Sequence, residues 1–234
     1  MDINYVTYGK GKDVVLLHGW GQNIEMMDPI GKKLKNCRVT IIDLPGHGET
    51  EEPKEALNIY DYTDVVYELL NKLKIKNPVM VGHSFGGRIA ICYSAKYGCE
   101  KTVLLGAPCI RNEKAVPLKV KFLKFMKKVP VINKLESFAK KHIGSRDYKN
   151  ASPIMRQILV NTVNEDLSEQ AKKINNPTLL IWGTEDAEAP IEEARELEKM
   201  IKDAGLVEYE GGSHYAYLEF LIPVTNVINK FIEE

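Results

Sequence analysis

A serine stands between glycines in the segment at positions 82–87, which reads Gly-His-Ser-Phe-Gly-Gly. The segment follows an apolar run and opens a helical pattern, which is the setting in which G-x-S-x-G holds a nucleophilic serine on a sharp turn. Gly82 and Gly86 keep neighbouring atoms clear of Ser84, and the positive end of the helix dipole favours developing negative charge there. We interpret Ser84 as a nucleophile, the alternative being a serine that only caps the helix.

A neutral serine hydroxyl is a poor nucleophile, so it requires a base and an acid that orients the base. Among the five histidines, His214 is the best candidate base because it follows the last strand-like run, in a loop expected at the edge of the sheet that carries Ser84. The others lie in early loops, beside the serine or in a helical segment; these are His18, His47, His83 and His142.

The candidate acid is Asp186, directly after the strand-like run at 178–182. There it would accept the Nδ1 proton of the base and stabilise the imidazolium. Glu185 and Glu188 are nearby rivals, and a helix cap ahead of Pro190 is the other role open to Asp186.

The tetrahedral intermediate of acyl transfer needs two backbone N–H donors. One is expected from Phe85, after the nucleophile, and the other from Trp20 in the His-Gly-Trp-Gly turn at 18–21. Glycines on both sides let this turn approach a reacting carbonyl, although a plain tight turn is the alternative. The Trp20 side chain is also expected to line the substrate pocket.

The elements that must position these residues alternate along the chain. Continuous apolar runs predict strands buried on both faces, and helical periods separate them, so we predict an α/β fold with a mostly parallel sheet covered by helices on both faces. The runs end near residues 17, 42, 81, 105, 182 and 209. Helical patterns occupy 59–73, 85–97 and 191–201, and Pro223 fits the first turn of a last helix.

One segment interrupts the alternation, since residues 111–174 contain only helical patterns. We predict a helical lid there, inserted before the penultimate strand into a core made of residues 1–110 and 175–234. Positions 111–150 carry 12 Lys or Arg and 3 Asp or Glu, a net charge of +9. An amphipathic helix in this segment places Phe122 and Phe125 on its apolar face, which is expected to line the pocket.

The overall composition narrows the classes of function. The 234 residues contain 32 basic and 32 acidic side chains, and a net charge of zero argues against a nucleic-acid partner. No apolar stretch is long enough for stable membrane insertion, and the N-terminus does not resemble a signal peptide. Four cysteines without a CxxC pair favour buried reduced thiols and a cytoplasmic location. No metal or organic cofactor is implied, because the chain lacks H-E-x-x-H, P-loop and Rossmann patterns.

Taken together, these residues resemble the α/β-hydrolase superfamily, specifically its lidded members with a His-Gly-x-Gly oxyanion loop. The turn at 43–48 and the pair Trp182-Gly183 add to the resemblance, which covers nearly the whole chain. It implies a nucleophile, acid and base in the chain order Ser84, Asp186, His214. A serine at the turn disfavours the dehalogenase branch, and Tyr215 stands where many carbon–carbon bond hydrolases of the family have tryptophan.

The predicted function is that of a serine esterase, a carboxylesterase-like enzyme acting on a small-molecule ester through an acyl-enzyme. A non-hydrolytic or carbon–carbon bond cleaving enzyme on the same triad, or a ligand-binding receptor of the same fold, are the alternatives. Tyr215 is a further candidate for the pocket lining. An anionic substrate is favoured if basic side chains face the pocket, the candidates being Arg88, Arg111, Lys119 and Lys124. The oligomeric state stays open.

Overall fold

The computed structural model describes residues 1–111 and 151–234. Within them, seven strands form one sheet in the order β1-β3-β2-β4-β5-β6-β7. Only β1 is antiparallel to its neighbour, β3, and all other pairs are parallel. The strands are β1 (Tyr5–Gly9), β2 (Lys12–Leu17), β3 (Cys37–Ile42), β4 (Val79–His83), β5 (Lys101–Leu105), β6 (Thr178–Gly183) and β7 (Ala204–Tyr209).

Helices occupy the connections between the strands. In the described part of the chain they are α1 (Ile24–Gly31), α2 (Ile59–Lys72), α3 (Phe85–Tyr97), α4 (Pro153–Val163), α5 (Ser168–Ala171), α6 (Ile191–Met200), α7 (Ala216–Glu219) and α8 (Leu221–Glu233). Local signals fix their ends. Asn58 caps α2 by accepting from the backbone N–H of Asp61, whose side chain accepts in return from the N–H of Asn58.

The core lies on both faces of the sheet, which explains why the strands read as continuous apolar runs. In β2, Val14 and Leu16 pack on one face with α1 and α8, whereas Val15 and Leu17 pack on the other with α2, α3 and α6. Every one of these four side chains is fully buried. The predicted α/β fold with a mostly parallel sheet is therefore confirmed.

The sequence reading missed the edge strand β1 and the short helix α1. Four of the five β1 residues are exposed, and the strand lies at the edge of the sheet, so it lacks the apolar run by which the buried strands are recognised. Helix α1 is only eight residues long and contains Pro29, which removes one backbone donor from the helical pattern.

The segment predicted to form a lid is described only in its last part. Helices α4 and α5 lie between β5 and β6 in the chain, and Met155, Ile158 and Ala171 pack into the core on the α2 and α3 face. Residues 112–150 lie outside the described residues, and with them Phe122, Phe125, His142, Lys119 and Lys124. The division into a core and a lid stays a prediction.

All four cysteines are buried and unpaired, as expected from their pattern in the sequence. Burial raises the pKa of the Cys92 and Cys109 thiols to about 12, so both stay protonated. No helix among the described residues is both long and apolar enough to cross a membrane.

Candidate active site

Ser84 occupies a strained turn between β4 and α3. Its φ of 49° and ψ of −112° lie in a region that residues with a side chain rarely adopt, at a cost on the order of 1–3 kcal/mol. The turn is fixed by a hydrogen bond from the Ser84 N–H to Leu105 O (3.0 Å). Ser84 stands at the N-cap of α3 but its side chain makes no capping hydrogen bond, so the hydroxyl does not serve the helix.

The two glycines of the turn allow backbone segments to meet. A Cβ at Gly82 would lie 2.4 Å from Gly86 O, and one at Gly86 would lie 2.4 Å from Leu17 O. Such contacts are impossible for real Cβ atoms. Only glycine at these two positions therefore lets the turn, the start of α3 and the end of β2 pack so closely. The sequence pattern by itself predicts only that the glycines clear space around the serine.

The base and acid candidates meet at the ends of β7 and β6. His214 Nδ1 lies 2.8 Å from Asp186 Oδ2, and both side chains are almost completely buried. The other carboxylate oxygen of Asp186 accepts from the N–H groups of Glu188 (2.9 Å) and Ala189 (2.8 Å). Asp186 thus orients the imidazole and holds its own loop, while the N-cap position of α6 belongs to Pro190.

The second nitrogen of the imidazole faces a different carboxylate. His214 Nε2 lies 3.4 Å from Glu188 Oε2, whose side chain is 67% exposed. Among the described residues, no hydrogen bond joins Ser84 Oγ to His214. His83, the residue before Ser84, connects the serine turn to the loop of His214, because its Nε2 lies 3.1 Å from His214 O. Hydrogen bonds of this kind often shorten only when a substrate is bound.

The His-Gly-Trp-Gly loop lies beside the serine turn. The N–H of Gly86 donates to His18 O (3.0 Å), which joins the loop to α3. Gln22 Oε1 accepts from the N–H of Gly19 (2.9 Å) and lies 3.2 Å from His83 Nδ1. Within the described residues, the N–H groups of Trp20 and Phe85 have no acceptor. The Trp20 ring packs edge-on against Phe85, with centroids 5.3 Å apart.

Three further histidines are buried around this site and serve the framework. Burial lowers the pKa of His83 to about 3 and that of His18 to about 4, because the charged imidazolium loses its water. His18 Nε2 accepts from the N–H of Leu44 (3.1 Å), while its Nδ1 faces Gly19 O. Burial also lowers the pKa of His47. These side chains stay neutral, and their ring nitrogens face groups of the framework, so none of them replaces His214 as the candidate base.

The other residues predicted to line the pocket differ in their exposure. Trp20 is partly buried, and Tyr215 is 38% exposed with its ring 5.5 Å from that of His83. The expectation that Arg88 faces a substrate is wrong, because Arg88 is buried and donates to Pro108 O (2.8 Å) and Glu165 O (2.5 Å). Arg111 is exposed, and its N–H donates to Asp166.

Sequence reasoning missed Gln22 and gave Glu188 only the role of a rival acid. No local sequence pattern indicates either contact, because the partners are far apart in the chain. Gln22 and His83 are separated by 61 positions, and Glu188 and His214 by 26 positions. Asp186 faces the nitrogen that an orienting acid requires. Within the described residues, no three His, Cys, Asp or Glu side chains are arranged to hold a metal ion.

Two models of known protein families match this chain. A family model described as the alpha/beta hydrolase fold matches residues 13–130, and one described as a TAP-like protein matches residues 155–234. The first of these spans the oxyanion-loop candidate, the serine turn and the strands from β2 to β5. The second spans the loops that carry Asp186 and His214.

Full-length relatives and solved structures agree with these matches. An AB hydrolase superfamily protein of Bacillus subtilis is 27% identical, over 95% of this chain and 92% of its own. A pimeloyl-acyl-carrier-protein methyl ester esterase of Aliivibrio fischeri is 23% identical, over 96% of both chains. The structure of an esterase from Exiguobacterium antarcticum aligns with a TM-score of 0.80 at 24% identity, over 99% of this chain and 96% of that one. A bromoperoxidase from Bacillus anthracis aligns with the same TM-score and identity, over 99% and 95%.

Proposed function

The chain belongs to the α/β-hydrolase fold family, and on that premise we propose that it is a serine hydrolase that cleaves small-molecule esters. The observation that carries this proposal is the arrangement around His214. A buried carboxylate lies 2.8 Å from Nδ1, and the imidazole adjoins the strained turn that presents Ser84. An ester is favoured as substrate because two of the similar proteins are described as esterases.

In the proposed reaction, Ser84 Oγ attacks the ester carbonyl while His214 Nε2 takes its proton. The tetrahedral oxyanion is stabilised by the N–H groups of Trp20 and Phe85, which are unoccupied by other acceptors in the described part of the chain. His214 then protonates the leaving alcohol, and water cleaves the acyl-enzyme with the same imidazole as general base. Asp186 keeps the Nδ1 proton in place and stabilises the imidazolium.

The strain at Ser84 supports this proposal over a purely structural role. A serine that only capped α3 would hydrogen-bond to the first turn and would not require a φ of 49°. Backbone strain of this size persists where the surrounding structure enforces it, and such positions cluster at functional sites. Here the enforcing contacts are the bond to Leu105 O and the close approach of Gly82 to Gly86.

The test is hydrolysis of a panel of p-nitrophenyl esters with acyl chains of increasing length, followed at millisecond resolution. We expect turnover, with a burst of p-nitrophenol equal to the enzyme concentration where deacylation is slow. Ser84→Ala and His214→Ala should each abolish nearly all activity, and the double variant should be little worse than either, because the residues act as a unit. Activity retained by Ser84→Ala would refute the proposal.

A further inference from the structure

The Glu188 carboxylate lies beside the imidazole of the proposed base. Its backbone is fixed, since the N–H groups of Glu188 and Ala189 both donate to Asp186 Oδ1, and Trp182 Nε1 donates to Ala189 O (2.8 Å). Its side chain leaves this anchored loop toward solvent and brings Oε2 to 3.4 Å from His214 Nε2. Nε2 is the nitrogen that would deliver a proton to the leaving group.

Two carboxylates therefore flank one imidazole, Asp186 at Nδ1 and Glu188 at Nε2. Even when His214 carries a positive charge during the reaction, the three groups together retain one negative charge. Among the described residues, no lysine or arginine lies within salt-bridge distance of Glu188. Among the described residues, the charged side chains beside the imidazole are therefore both carboxylates, which favours a neutral or cationic leaving group over an anionic one.

We propose that Glu188 is a specificity-determining residue that disfavours esters with an anionic leaving group and favours neutral and cationic ones. This inference rests on the proposed function, because it concerns the same site. A leaving oxygen within hydrogen-bond reach of Nε2 lies within about 6.5 Å of the Glu188 carboxylate. A charged substituent on the leaving group lies a few ångströms farther from that carboxylate, where a unit charge screened by water changes a rate about twofold to threefold. Two esters of opposite charge are affected in opposite directions, so the ratio of their rates changes by the product of the two effects.

The experiment compares three aryl acetates that differ in charge: 3-acetoxybenzoate, 3-acetoxybenzamide and 3-acetoxyphenyl-trimethylammonium. For wild type and Glu188→Gln, kcat/KM is measured for each ester at low ionic strength, with Ser84→Ala as the background. The ratio of kcat/KM for the benzoate ester to kcat/KM for the ammonium ester is compared, because a change in general reactivity affects both values equally. We expect this ratio to rise about threefold to tenfold in Glu188→Gln and to approach the wild-type value in 1 M salt, where the screening length is about 3 Å.

Glu192→Gln is the matched control, because Glu192 is an exposed carboxylate in the first turn of α6 and its loss changes the net charge equally. The control should change the ratio less than twofold. An unchanged ratio in Glu188→Gln, with Ser84-dependent hydrolysis of the benzamide ester intact, would overturn this inference and leave the proposed function standing. An equal acceleration of all three esters would show that Glu188 obstructs the site without selecting, and would also overturn it. Absence of Ser84-dependent hydrolysis of every ester would overturn both proposals.

Discussion

Asp186 uses its two carboxylate oxygens for different tasks. Oδ2 contacts His214 Nδ1, and Oδ1 accepts two backbone N–H groups of the loop that follows. The loop bonds hold the carboxylate in place before any substrate arrives. The orientation of the imidazole therefore depends on a local turn as well as on the distant contact between β6 and β7. A residue whose position in the sequence suggests a helix cap can thus also contact the proposed base.

Replacement of Asp186 by asparagine should show whether Asp186, and not Glu185 or Glu188, is the acid that orients His214. We expect kcat to fall about 10³- to 10⁴-fold in Asp186→Asn, because an amide can donate to Nδ1 and stabilise the wrong tautomer. The loss should be smaller than in Ser84→Ala, and Glu185→Gln should stay within about twofold of wild type. The measurement is steady-state hydrolysis of a neutral p-nitrophenyl ester. A larger loss in Glu185→Gln or Glu188→Gln than in Asp186→Asn would show that the acid is wrongly assigned.

The buried histidines should make the fold sensitive to mild acid. His18 and His83 stay neutral in the folded protein down to about pH 4 and 3, whereas in the unfolded chain they take up protons near pH 6.5. The unfolded state therefore binds more protons below pH 6.5. The free energy of unfolding should fall as the pH falls, by up to about 1.4 kcal/mol per pH unit for each histidine.

Urea unfolding at pH 7.5, 6.5 and 5.5 measures this dependence. His18→Gln should reduce the slope by the contribution of one histidine, whatever its effect on stability at pH 7.5. A free energy of unfolding that stays constant from pH 7.5 to 5.5 would contradict the assignment of these side chains as buried and neutral.

At the scale of elements, the site is assembled from loops at the carboxyl ends of parallel strands. Gln22, just before α1, links two of these loops, since its side-chain oxygen accepts from the Gly19 N–H and lies 3.2 Å from His83. His83 in turn lies 3.1 Å from the backbone oxygen of His214. The oxyanion-loop candidate, the serine turn and the base loop thus share one chain of contacts through two side chains that touch no substrate atom in the proposed reaction.

We expect Gln22→Ala to lower kcat about tenfold with little change in KM. The reason is that Gly19 would lose its acceptor, the Trp20 N–H would lose its fixed direction, and oxyanion donors act mainly in the transition state. Gln157→Ala, at an exposed position on α4, is the control and should behave as wild type. An increase in KM at constant kcat would show that Gln22 contributes to substrate binding instead.

The sequence predicted elements where a local pattern decides them. The helix at 85–97 and the serine turn before it were recognisable because apolar periodicity, glycines and strand length all act within a few residues. The exposed strand β1 was not recognisable, because it is held by backbone pairing with β3 and its own residues form no apolar run. The contacts of Gln22, Glu188 and Arg88 join residues distant in the chain, and no local pattern encodes which partner a polar side chain will meet.

At the scale of the whole molecule, one buried polar cluster joins the residues that follow β5 and those that precede β6 to helices of the core. Arg88 on α3 donates to Pro108 O and Glu165 O, while Glu193 on α6 accepts from the N–H groups of Cys109 (2.5 Å) and Ile110 (2.6 Å). Burial lowers the pKa of Arg88 and raises that of Glu193, because loss of water disfavours the charged form of each side chain. This cluster fastens the segments on both sides of residues 112–150 to the helices of the core.

Removal of Arg88 should therefore destabilise the protein strongly. We expect Arg88→Leu to lower the free energy of unfolding by about 2 kcal/mol or more, because two partly buried carbonyl groups lose their charged donor. Arg195→Leu removes an exposed arginine that pairs with Glu208 and should have a much smaller effect. Urea unfolding at pH 7.5 compares the two variants, and similar losses in both would contradict a fastening role for Arg88.

Labelling with a fluorophosphonate tests whether Ser84 is an activated nucleophile. The wild-type protein is incubated with the probe, its intact mass is measured and the modified peptide is sequenced. We predict one adduct per chain, located on Ser84, with no adduct in Ser84→Ala and a strongly slowed reaction in His214→Ala. An unlabelled wild-type protein, or equal labelling of wild type and Ser84→Ala, would show that Ser84 is not the nucleophile.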